Sequence, residues 1–377
     1  MPSSSRDYKL ISADGHLNEP GDLWTSRVPA EFKDRVPHIE RFDKGDAWVM
    51  KGVEGVRPFG WGACAGRPPE ELGEWAFFEE INAGSYDPIA RVEELDRDGV
   101  DAELLFASGI IGWVNGERDP DLHHAMVRAY NDFLSEFCSH APDRLGGAAL
   151  LPNRGLDECL AELERLESMP GFVAYYLKAM PDGGTSGIKP EYDRLWEAII
   201  QTGKPLTVHI GLTDSPGVGK PVEEVGGAKK LPGTGHFYNA PKLMLEFIFE
   251  GVLDRFPELQ IILAETDCGW MPYFQEQADD NYLRHAQADL KDHRLAKLPS
   301  EYMKAHFPAS FITDTVAIDA RERVGVDRML WSNDHPHITA DWPNSWKTIN
   351  ASFAGVPTED RQKILAGNAQ RLLKFGS

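Results

Sequence analysis

Asp14 and His16 close the short apolar run Leu10-Ile-Ser-Ala, two residues apart. Residues i and i+2 of an extended strand point to the same side, so both side chains would leave the strand end together, placed to grip one cation. Other polar groups close apolar runs further on: Lys178, His209, Glu265 and Asp334. A carboxylate that ends a buried run is costly unless it is paired or metal-bound. Imidazole plus carboxylate suits Zn, Fe, Mn, Co or Ni, and the lack of Cys ligands argues against a structural zinc site. Such an ion lowers the pKa of bound water to ~7 or polarises a substrate oxygen. Lys178 offers a cation for a substrate anion, or merely a stem laid along apolar surface.

These groups need elements that bring them to one place. Tyr86-Asp87-Pro88 reads as a helix start, with Asp87 as N-cap and Pro88 at the first helical position. From there apolar runs alternate with periodic helical stretches. Strands are expected at Val100–Ser108, Leu145–Pro152, Phe172–Lys178, Pro205–Ile210, Leu259–Glu265, Ser310–Thr313 and Arg328–Asp334. Helices fall between them, including Asp119–His140, Pro241–Phe256 and Met271–His293, and Thr358–Lys374 closes the chain. With the Asp-x-His strand this makes eight β/α repeats. Alternation implies a parallel sheet, and eight repeats suggest a (β/α)8 barrel, with a doubly wound sheet as the alternative. In a barrel all the strand ends named above share the C-terminal face, where barrel enzymes keep their active sites. Residues 18–86 break the pattern and read as an insertion, or lid, after strand 1 on a single domain spanning 1–377; Trp24, Trp48, Trp61 and Trp75 are expected mainly to pack it onto the body.

Composition narrows the class. The 377 residues carry 39 basic and 60 acidic side chains, a net charge of −21, which argues against nucleic acid and anionic membranes as partners. No apolar run reaches spanning length, and the N-terminus lacks the apolar core of a signal peptide. Cys64, Cys138, Cys159 and Cys268 are scattered, as expected of buried thiols in a reducing cytoplasm. The remaining histidines (His123, His124, His140, His285, His293, His306) are expected at the surface, and Asp267 and Trp270 are expected to serve the start of the next helix.

As a set, Asp14-Gly-His16, Thr207-Val-His209, Ala264-Glu-Thr-Asp-Cys-Gly-Trp270 and Trp331-Ser-Asn-Asp334-His-Pro-His337 resemble the amidohydrolase superfamily. The likeness is greatest to its amidohydrolase-2 branch, similar to aminocarboxymuconate semialdehyde decarboxylase. Asn18-Glu-Pro-Gly-Asp-Leu-Trp24 and Gly251-Val-Leu-Asp-Arg-Phe-Pro257 extend the likeness, which is weakest over residues 38–80. The resemblance implies a distorted (β/α)8 TIM barrel, homodimerisation and a divalent metal (Zn, Mn or Fe) held by Asp14, His16, His209 and Asp334. Glu265 stands where the decarboxylase pattern has a catalytic histidine. His236, in Gly233-Thr-Gly-His-Phe-Tyr238, could swing in as a further ligand. One metal per chain is expected, and Glu265 with His236 would permit a second, as in related diiron monooxygenases. His337, Lys178 and Trp270 are expected to bind substrate or to orient the ligands.

The first expectation for a small, apolar or aromatic-bearing substrate is hydrolysis by metal-activated water, with Asp334, Glu265 and His236 as catalytic groups. Non-oxidative decarboxylation of an aromatic or unsaturated acid and dioxygen activation at two irons stand as alternatives.

Overall fold

The computed structural model describes residues 6–212, 236–285 and 294–376, except for the side chains of residues 236–238. Its strands are β1 (Ile11–His16), β2 (His38–Phe42), β3 (Gly45–Val49), β4 (Arg57–Pro58), β5 (Ala102–Phe106), β6 (Leu145–Leu150), β7 (Phe172–Tyr176), β8 (Leu206–His209), β9 (Ile261–Ala264), β10 (Ala309–Phe311) and β11 (Met329–Trp331). Eight of them form one sheet in the order β1-β5-β6-β7-β8-β9-β10-β11, every pair parallel. Helices cover the outside and side chains fill the inside, so these strands are buried almost throughout and are apolar rather than alternating. The barrel closes between the first strand and the last. His16 N–H donates to the His335 carbonyl at 2.8 Å and Asp334 N–H to the Asp14 carbonyl at 3.0 Å. The Ser12 hydroxyl meets the Asn333 amide oxygen at 3.0 Å. The closing bonds thus run through the residues expected to hold a metal.

The helix over Pro88–Asp98 starts as its sequence dictates. The Asp87 carboxylate accepts from the N–H groups of Ile89 and Ala90, and Gly99 ends the helix at φ 72°. Elsewhere the boundaries differ from expectation. The helix expected over 241–256 is two, His236–Phe249 and Val252–Arg255, parted by Gly251 at φ 66°. The last helix widens by a turn at Lys363–Gly367. The helix from Met271 is described to His285. Asp314, not Asp267, serves its start, accepting from Cys268 and Gly269 N–H at 2.8 and 2.7 Å.

Two histidines expected at the surface are core residues. His123 accepts from Asn153 N–H and its other ring nitrogen meets the Val114 carbonyl, while His306 meets the Leu259 carbonyl. All four cysteines are buried and free. No helix among the described residues is long and apolar enough to cross a membrane.

The stretch between β1 and the Pro88 helix carries a small antiparallel sheet, β2-β3-β4. Trp24 and Trp48 are fully buried with rings 5.4 Å apart, and the Trp24 indole donates to the Met126 carbonyl. Packing is therefore the role of these two. Trp61 is exposed, and its carbonyl accepts from Ile338 N–H while Ala65 N–H donates to the Pro336 carbonyl. The insertion is thereby stitched to the loop that follows β11.

Candidate metal centre

Four strand ends converge. β1 delivers Asp14 and His16, β8 delivers His209, Glu265 follows β9 directly, and Asp334 lies three residues past the end of β11. Glu265 and Asp334 sit at φ 53° and 54°, a left-handed backbone that costs about 1–2 kcal/mol for a residue with a Cβ. That cost is borne where it turns two carboxylates into the barrel mouth. One ring nitrogen of His16 (Nδ1) meets the Ala107 carbonyl at 2.9 Å, which aims Nε2 inward. His16 Nε2 then lies 3.0 Å from His209 Nε2, 3.4 Å from Asp14 and 3.3 Å from Asp334. His209 Nε2 lies 3.3 Å from both Asp14 and Glu265. Potential ligand atoms of Asp14, His16, His209 and Glu265 form one group, and those of His16, Asp334 and His337 an adjoining one.

The electrostatics call for a cation. Asp14 Oδ2 is buried without a hydrogen-bond partner, while Asp14 Oδ1 and Asp334 Oδ1 meet imidazole nitrogens that must share few protons. Burial works to lower the His16 imidazole, yet Asp14 and Asp334 hold it well above its ordinary value. A divalent ion meets that demand better than one proton. Burial also works to raise Asp334, but His337 and His16 hold it well below the usual carboxylate range. Its partners include His337 Nδ1 at 2.9 Å and the Thr339 hydroxyl. Glu265 behaves oppositely: burial, then Asp334 and Asp14, push its carboxyl well above the ordinary value. The donor set therefore fits a divalent ion, and its two carboxyls Asp334 and Glu265 are shifted in opposite directions.

A brace holds the strand ends. Arg91 is fully buried and pairs with Glu103 at 2.7 Å. It also donates to the carbonyls of His16 and His335, both at 3.0 Å. Gly15 is required between Asp14 and His16 because a Cβ there would lie 2.1 Å from the Glu103 carboxylate.

Cationic groups face the cluster. Lys178 follows β7, and burial, with the charge of Arg57, lowers its ammonium to about 8. Arg57 comes from β4 of the insertion and packs on Gly109, where a Cβ would fall 1.9 Å from the guanidinium. Glu19 lies beneath, accepting from Ser108 N–H at 2.9 Å and from its hydroxyl at 2.5 Å.

The structure thus gathers Asp14, His16, His209, Glu265, Asp334 and His337, whose ring stacks on His16 at 4.0 Å. Trp270 is tied to its own turn, its indole donating to the Thr266 and Asp267 carbonyls. The His236 side chain lies outside the described residues. Arg57, Arg91 and Thr339 were not legible as site residues. Arg57 sits in an aperiodic stretch, Arg91 reads as an ordinary charge of an amphipathic helix, and Thr339 lies beyond the last strand.

Comparison with known proteins places this geometry. A family model described as amidohydrolase matches residues 82–375. The gamma-resorcylate decarboxylase of Polaromonas sp. is 28% identical over 300 residues, 76% of this chain and 86% of that protein. Among solved structures, an amidohydrolase of Mycobacterium avium subsp. paratuberculosis superposes with a TM-score of 0.74 at 19% identity, covering 98% of this chain and all of that one. A dihydroxybenzoic acid decarboxylase of Polaromonas sp. with bound manganese and the inhibitor 2-nitroresorcinol gives a TM-score of 0.64 at 19% identity, covering 98% of each chain.

Proposed function

The chain belongs to the amidohydrolase family, and we propose that it is a lyase that removes the carboxylate of an aromatic acid without oxidation. The observation that carries this reading is one barrel mouth gathering a buried set of imidazoles and carboxylates in which Glu265 is pushed well above its ordinary value while Asp334 is held well below it. The chemistry of the curated relative, a decarboxylase, supports it over the hydrolysis expected first. The relatives reported above do not support oxygenation.

Asp14, His16, His209 and Asp334 would hold one divalent ion, manganese or zinc. When bound, the ion would supply a positive centre for the substrate's carboxylate and an adjacent ring oxygen. Lys178 and Arg57 draw the anion in and orient it. Glu265, whose carboxyl is pushed upward by burial and its acidic neighbours, gives its proton to the ring carbon that bears the carboxylate. The C–C bond then breaks, its electron pair restores the aromatic ring, and carbon dioxide leaves. Asp334 is the poorer donor, since His337, His16 and Thr339 hold it ionised. The insertion, stitched over the loop after β11, acts as a lid that keeps bulk water from the reacting carbon.

The test is incubation of manganese-loaded protein with a panel of hydroxylated benzoates, following released carbon dioxide and the ring product. Equal amounts of the two are expected for at least one acid. No release from any of them, with turnover of esters or lactones instead, would return hydrolysis to first place.

A further inference from the structure

The opposite end of the barrel carries a second cavity. Its volume is about 440 Å³ and it opens beside Pro205, Gln260 and Arg328, the residues just before β8, β9 and β11. It is thus separated from the metal centre by the length of the strands that carry His209, Glu265 and Asp334 at their other ends. Among the described residues, Lys204, Arg328, Arg371 and Lys374 line it, against one carboxylate, Glu258, which is exposed. In a chain of net charge −21 such a local excess of cations is out of keeping with the rest of the surface.

Among the described residues, the two arginines hydrogen-bond only to neutral groups. Arg328 donates to the Gln260 amide oxygen at 2.9 Å. Arg371 donates to the Asp327 backbone carbonyl at 2.9 Å and, more weakly, to the Asn368 side chain at 3.4 Å. The Asp327 carboxylate is turned to Lys363 instead. Arg328 is half-buried, and burial and the charge of Arg371 act against its guanidinium more than the Asp327 carboxylate acts for it. Two neighbouring guanidinium forks with no carboxylate ion pair among the described residues suit an oxyanion, which each can hold through paired N–H donors. The rest of the wall is apolar: Ile199, Ile200, Leu259 and Leu372. That wall suits the body of a small organic molecule rather than a bare ion.

We propose that this pocket binds a small organic oxyanion, a phosphate or carboxylate head on an apolar body, between Arg328 and Arg371. The headgroup sits on the two guanidinium forks with Lys204 at the rim, and the body lies on Ile199 and Leu259. The inference is independent of the reaction at the other face.

Calorimetric titration of metal-loaded, full-length protein with phenyl phosphate and with benzoate tests it. Binding is expected, weakening as salt is raised, and at least ~10-fold weaker in the double variant Arg328→Gln/Arg371→Gln. Whichever probe binds more tightly names the headgroup. Undiminished affinity in the double variant would place the anion elsewhere, the metal centre included, and overturn the proposal, as would no binding of either probe to the unaltered protein. Should the double variant fail to fold, crystals of the unaltered protein soaked in 4-bromophenyl phosphate decide. A bromine anomalous peak over Leu259 supports the site; a peak only at the barrel mouth, or none, overturns it.

Discussion

At the scale of the residue, the proposed division of acid–base work between Glu265 and Asp334 rests on their different partners. His337 and His16 hold Asp334 well below the usual carboxylate range against its burial, whereas burial, then Asp334 and Asp14, push Glu265 well above its ordinary value. Glu265→Gln is therefore expected to keep its bound metal while lowering kcat by about 10²–10⁴, the usual worth of a general acid. Metal analysis beside steady-state kinetics checks it; loss of metal would make Glu265 a ligand instead. Lys178 adds a pH dependence with a definite sign. Its ammonium, lowered to about 8, is charged at neutral pH and loses its proton as pH rises through that value. Affinity for an anionic substrate should fall across that range, seen as a rising KM, and Lys178→Met should remove the pH step. A step unchanged in that variant would assign it to another group. Most of these residues were legible in the sequence because each closes an apolar run. Arg57 was not, since it reaches the site from a two-residue strand whose neighbours carry no periodicity.

At the scale of the element, the site depends on how β1 is fastened to the loop after β11. The backbone bonds between Asp14 and Asp334 and between His16 and His335 are held by Arg91, whose guanidinium bridges both strand ends and Glu103. Arg91→Met leaves the Glu103 carboxylate buried without its partner, so a loss of 3–5 kcal/mol is expected, of order what breaking a buried pair costs. Denaturant unfolding should show a lowered midpoint, and metal affinity should fall with it. A midpoint within ~0.5 kcal/mol of the parent would show that the brace is dispensable. Sequence pattern found the eight strands because parallel barrel strands are buried on both faces and read as apolar runs. It could not find the brace. A charged residue on a helix reads as solvated, and only the tertiary fold reveals that this one points inward. The same blindness explains the split near Gly251, where left-handed backbone interrupts an apolar stripe that continues on either side.

At the scale of the whole molecule, buried neutral histidines set the response to acid. Burial lowers His123 to about 3 and also lowers His306. The unfolded chain takes up a proton near pH 6.5 that the folded chain refuses, so stability is full above that value and declines as pH falls towards 3. Each such histidine steepens the decline by up to ~1.4 kcal/mol per pH unit. His123→Gln should flatten it, measured as unfolding free energy between pH 7 and about 4; an equal slope in that variant would contradict the assignment. These histidines were misread as surface residues because a lone His on a helix carries no signal of the carbonyl it will meet. The central claim remains the cation at the barrel mouth, and elemental analysis of protein purified without added metal or chelator tests it most directly. About one manganese or zinc ion per chain is expected, falling to below ~0.1 in His209→Ala and in Asp334→Ala with the fold retained. Full metal content in both variants, or no metal in the parent protein even after reconstitution, would contradict the account.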